Sequence, residues 1–116
     1  MGVVSDGTTV IDNGAVAGVL SWQAVKTGNF TAVAGEGYFI NTTGGAITMT
    51  LPSSPSLGDF VTFIDYAGTF DTNNLTIGRN SENIQGSAAD LTVSVERAAN
   101  TLVYTDGTQG WLLTVK

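Results

Sequence analysis

The chain has 116 residues and a net charge of −6, and only 12% of its side chains are charged, about half of the roughly 25% usual in soluble domains. Without a single Cys or His, it lacks the means for disulfides, thiol chemistry, structural zinc and imidazole catalysis. Its cations are Lys26, Arg79, Arg97 and Lys116 against ten acids, so nucleic acid and anionic membranes are excluded as partners by repulsion.

This length fits one domain with a core of its own. No apolar run reaches the about 20 residues that span a bilayer, and the start, Met1 to Asp6, lacks the cationic opening of a secretion signal. With 42% apolar residues and few charges, the polar surface must come from Thr, Ser, Asn and Gln. Such a surface tolerates permanent protein contacts, because it carries few long side chains whose entropy is lost on packing.

Residues 1–20 differ in texture from the rest. Gly2, Gly7, Gly14 and Gly18 break up the apolar residues Val3, Val4, Val10, Ile11, Val16, Val19 and Leu20. A Gly-broken run of small apolar residues suits an extended arm whose side chains contact a neighbouring subunit or a shell beneath it. The competing reading is an ordinary first hairpin turned by Asp12, Asn13 and Gly14.

From Ser21 to Lys116 the pattern predicts a β-sandwich domain. Strands are expected at 22–25, 30–34, 38–42, 46–51, 60–66, 75–79, 91–96, 101–105 and 111–115. The alternation is cleanest where Ile47, Met49 and Leu51 oppose Thr48 and Thr50, and where Leu91, Val93 and Val95 oppose Thr92, Ser94 and Glu96. No window shows a helical period. Short strands with turn residues every 8 to 12 positions imply an all-β, antiparallel, jelly-roll-like sandwich.

Pro52 and Pro55 end one strand and carry the chain over an edge before Gly58 and Asp59 open the next. Asp71 to Asn74 and Asp106 to Gly110 are expected as hairpin-type connectors, the second relying on Gly107 for positive φ. Ile84, the one apolar residue in the polar stretch 80–90, is expected to pin that loop to the core.

Chemistry-bearing patterns are sparse. No Gly-x-Ser-x-Gly elbow occurs, and no phosphate loop. The carboxylate pairs open to a glycosidase are Asp59 with Asp65 and Glu82 with Asp90, although Asp59 and Asp71 sit where Asp caps turns and the other acids read as solvated. An oxygen-rich start at Asp71 and Asn73 loses the calcium-loop pattern at Leu75. Asn29, Asn41 and Asn74 match the Asn-x-Ser/Thr spacing by composition alone. Trp22, Tyr38, Tyr66, Tyr104 and Trp111 are the rings able to stack on sugar or anchor a partner, against the plainer reading of core packing. Strands 38–40 and 60–66 carry bulky groups at both parities, which implies burial on both faces, one by the core and one by neighbouring subunits. No catalytic, cofactor or metal residue is assigned, and an enzyme is not expected.

The order of Gly35 to Thr43 (GEGYFINTT), Ile47 to Pro52 (ITMTLP), Gly58-Asp59 before Phe60 to Gly68 (FVTFIDYAG), Asn73 to Asn80 (NNLTIGRN) and Gly110-Trp111 resembles a β-module of marine bacteriophage virion surface proteins, which include tail fibres, tail appendages and head decoration proteins. The resemblance spans roughly the last two-thirds of the chain. It implies a homotrimer on the particle surface whose partners are itself and other virion proteins, such as the major capsid protein or tail proteins. A chain with room for one module and a short arm points to a head decoration protein, either cement or head fibre. The alternative is a tail fibre or appendage module that binds host glycan through the loop 80–90 or an aromatic patch.

Overall fold

The computed structural model describes residues 20–115. Nine strands form among them: β1 (Ser21–Trp22), β2 (Phe30–Thr31), β3 (Glu36–Ile40), β4 (Ile47–Thr50), β5 (Phe60–Asp65), β6 (Leu75–Gly78), β7 (Leu91–Val93), β8 (Ala99–Tyr104) and β9 (Trp111–Val115). Each lies where alternation and turn residues place one, and no helix occurs among the described residues. Val3, Val4, Val10, Ile11, Val16 and Val19, the Asp12–Gly14 turn and Lys116 lie outside them. Leu20, half-buried, leads directly into β1.

The strands make two mixed sheets, one in the order β9-β8-β5-β3-β1 and the other in the order β2-β4-β6-β7. From β1 to β6 the chain alternates between the sheets, so same-sheet neighbours run parallel: β1 with β3, β3 with β5, β2 with β4, and β4 with β6. The crossover that a parallel pair needs is supplied here by a strand of the opposite sheet. The expected antiparallel, jelly-roll-like pairing is found only for β6 with β7, β5 with β8, and β8 with β9. Alternation of side chains is the same in parallel and antiparallel strands, so it carries no information on the partner.

Between the layers, Tyr38, Ile40, Val61, Phe63, Leu102, Tyr104 and Trp111 meet Ile47, Met49, Leu75 and Ile77 in one core. The two sheets touch through aromatic contacts such as Phe30 on Tyr38, with ring centroids 4.7 Å apart. Trp111 is fully buried and meets Tyr104 edge-on at 5.4 Å. Its indole N–H has no hydrogen-bond partner, an expense of about 1–3 kcal/mol that ring burial must offset.

Two turns depart from expectation for identifiable reasons. The segment Asp71–Asn74 connects β5 to β6 across the layers, so it is no hairpin. The Asp106–Gly110 turn does close the β8–β9 hairpin, yet the residue with positive φ is Gly110 at +72°, not Gly107. Asp106 shapes that turn by accepting N–H bonds from Thr108 and Gln109, while Gly110 N–H returns to the Asp106 carbonyl. Beyond it, the loop 80–90 is pinned by Ile84, as expected, and runs along β9: Asn83 accepts from Trp111 N–H, and Gln85 N–H donates to Trp111. This covers part of an edge that would otherwise offer free backbone groups.

A Cβ on Gly110 would overlap the Asn83 carbonyl, whereas a Cβ on Gly107 meets open space. Gly110→Ala is therefore expected to lose about 2 kcal/mol or more of stability, and Gly107→Ala to stay within about 1 kcal/mol of the parent. Urea unfolding of the two variants beside the parent measures both.

Candidate interaction surface

Because side chains alternate across a strand, the residues that skip the core in the five-stranded sheet share its outer face. Register places them in rows. Phe60 pairs with Val103, Thr62 with Thr101 and Ile64 with Ala99 across β5 and β8, while Leu112 and Thr114 continue from Val103 and Thr101 onto β9. On the other side, Gly37 pairs with Thr62 and Phe39 with Ile64, and Trp22 lies beside Gly37. Among the described residues, no charged one belongs to this face. Phe39, Phe60, Ile64, Val103 and Leu112 are only partly buried, so a broad apolar surface faces outward.

Two local features build it. Trp22 stacks on Phe39 with centroids 4.7 Å apart, and its ring occupies the space a Cβ on Gly37 would need. The few polar groups on the face satisfy one another: the Thr62 and Thr101 hydroxyls bond at 2.7 Å, and Thr114 Oγ1 donates to the Thr101 carbonyl at 3.2 Å. Each of these hydroxyls already has a partner within the fold, which lowers the usual penalty for burying a polar group. The outer face of the other sheet is different in kind. There Thr48, Thr76 and Thr92 align in one row and Thr31 and Thr50 in the next, a hydroxyl surface that water serves well.

Of the five rings singled out in the sequence, Trp22 and Tyr66 are about half exposed, whereas Tyr38, Tyr104 and Trp111 are buried. The Tyr38 hydroxyl accepts from Val33 N–H and donates to Glu36, both at 2.7 Å. Burial, then the bond to Glu36, pushes its pKa up to about 12. Tyr104 donates to Glu82 at 2.8 Å, and that bond and its burial raise its pKa as well. Phe39 and Phe60, not among those five, join Trp22 on the outer face. Their signal was present as bulk at the second parity of β3 and β5.

Six of the eight described carboxylates, all but Asp71 and Glu96, accept from backbone or side-chain donors. Asp59 accepts from Ser56 N–H and Asp90 from Arg79 N–H, each at 2.9 Å. Asp59 and Asp65 flank β5 at opposite ends, roughly 20 Å apart at about 3.3 Å per residue, too far for the about 5–9.5 Å of a glycosidase pair. Asn73 directs its amide N–H to the Thr42 carbonyl at 2.9 Å. Asp65, expected among solvated acids, is instead fully buried. Its Oδ1 accepts from Gly68 and Thr69 N–H at 3.0 and 3.1 Å, and its Oδ2 accepts from Phe70 and Arg97 N–H at 3.1 and 3.0 Å. Burial alone would raise the pKa of this carboxyl. The four N–H donors outweigh burial and hold it below the ordinary value.

The expected strand 91–96 ends at Val93, which pairs with Leu75, the first residue of β6. Beyond it the chain turns, Val95 is left exposed, and Arg97 at φ +62° presents its N–H to Asp65.

A folded-state pKa below the unfolded value of about 3.9 gives stability that is fully present above pH 4 and lost as pH falls through the folded value. The parent should therefore lose stability on acidification below pH 4 more steeply than Asp65→Asn. At pH 7 that variant should already be less stable by about 2 kcal/mol, because an amide cannot accept from all four donors. Chemical denaturation from pH 2 to pH 8 reads both effects, and equal acid slopes would count against this role. No protein-family model matches the chain, and no curated protein matches it.

Proposed function

We propose that the chain is a structural protein of a bacteriophage particle surface, a head decoration protein of the cement or head-fibre kind, which assembles as a homotrimer. The observation that carries this reading is the outer face of the five-stranded sheet. An uncharged apolar face with its hydroxyls mutually bonded suits permanent contact with protein, and burial of such a face gains about 25 cal/mol for each Å² removed from water. The outer face of the other sheet is also uncharged but is lined with Thr hydroxyls, so apolar burial directs contact between copies to the face of the five-stranded sheet. Most of the described carboxylates act as structural acceptors, which fits a role in building. The resemblance to the phage module supplies the particle and the three-fold state.

The second reading, a tail appendage module that binds glycan, is favoured by one feature, the half-exposed ring of Tyr66 beyond β5. Labelled antibody on intact virions, read by electron microscopy, separates the two. Label over the head is expected, and label confined to the tail would replace decoration with the second reading. Light scattering at micromolar concentration is expected to give three times the chain mass, and a monomer would remove the assembly argument.

A further inference from the structure

We propose that the outer face of the five-stranded sheet is covered by residues 1–19 of an adjacent copy. The inference rests on the reading of the chain as an assembly subunit and goes beyond it by naming what the apolar face holds. Size argues first. Five strands of two, five, six, six and five residues, at about 3.3 Å per residue and about 4.8 Å apart, give a face of roughly 380 Å². A stable interface between folded partners buries about 800 Å² on each side, so two such faces pressed together fall short. An extended segment adds backbone and side-chain contacts along its whole length and conforms to the face.

Chemistry agrees. Val3, Val4, Val10, Ile11, Val16 and Val19 bring apolar area, and the charged side chains of the segment are two acids, Asp6 and Asp12. Nineteen residues reach about 60 Å when extended, more than twice the width of the face. Position brings the segment to the face. Leu20 joins β1 at the edge of this same sheet, and Trp22 stacks on Phe39 at the near corner. The segment's reach exceeds that face, so it can pass to the next copy, an exchange of a terminal element that builds oligomers at little expense.

The two tryptophans give a direct readout, since Trp111 is fully buried and Trp22 is 44% exposed when the face is bare. Acrylamide quenching of the full chain at micromolar concentration should find both rings shielded. In the full-length Val10→Asp, Ile11→Asp double variant, quenching of Trp22 should rise several-fold while Trp111 stays shielded, which also shows that the fold persists. Free quenching of Trp22 in the parent, or no change in the variant, overturns the proposal. The absence of Cys allows a second test. In a chain carrying Val10→Cys and Val103→Cys, oxidation should link chains into covalent oligomers. Linkage by Val103→Cys alone would indicate face against face, and a bridge closed within one chain would place the segment on its own sheet; either result overturns it. A protein found on the particle surface with Trp22 freely quenched would fail this inference alone. A shielded Trp22 in a protein absent from virions would fail the particle reading alone.

Discussion

Asp65 is the constraint around which the fold is arranged. It ends β5, the central strand of the five-stranded sheet, and its buried carboxylate gathers N–H groups from the β5–β6 crossover and from the turn that leads into β8. One side chain thus fixes the point at which the parallel winding leaves the first sheet and the point at which the chain returns to it. Neutral side chains could not do this at equal expense, because a charged acceptor forms stronger bonds with N–H donors and can take all four. Around it the contacts are short and mutual: Arg97 donates to the Tyr66 carbonyl at 2.8 Å, and Thr69 bonds Thr42 at 2.7 Å.

With both ends of β5 fixed, Asp59 capping one and Asp65 the other, its alternation decides the two faces. Val61 and Phe63 enter the core; Phe60 and Ile64 go outward beside Phe39 and Val103. A slip of one residue would exchange these sets and point the Asp65 carboxylate away from its donors, so the register is set twice, by apolar burial and by charge. The outward apolar face follows from the same strand that organises the core, and this ties the proposed assembly role to the fold and not to a detachable patch.

Much of this was legible in the residues. Alternation at 47–51, the prolines at 52 and 55, Gly58 and the lone Ile84 each act within a few residues of themselves, and local physics sufficed to place them. The bulk at both parities of β3 and β5 announced a sheet apolar on both sides. What the residues did not disclose is non-local. Parallel and antiparallel partners present the same alternation, so the winding between layers stayed hidden. Asp65 looked like a surface acid because its four donors come from backbone, which has no signature in the sequence, and Arg97 is distant in the chain. Val95 continued a strand pattern that ends where its partner β6 begins, at the Leu75–Val93 pair. At the hairpin, the Asp-Gly pair drew attention to Gly107, while the steric demand sits on Gly110 through its approach to Asn83.

The claim at the centre of this account is that the outer face of the five-stranded sheet is covered in the assembled protein. Hydroxyl-radical footprinting with mass spectrometry tests it residue by residue in the unmodified chain. Phe39, Phe60, Ile64 and Leu112 should be oxidised as slowly as core Phe63, while Leu57, Tyr66 and Val95, exposed at the loops, react fast. Oxidation of the four face residues at the rate of Leu57 would contradict it.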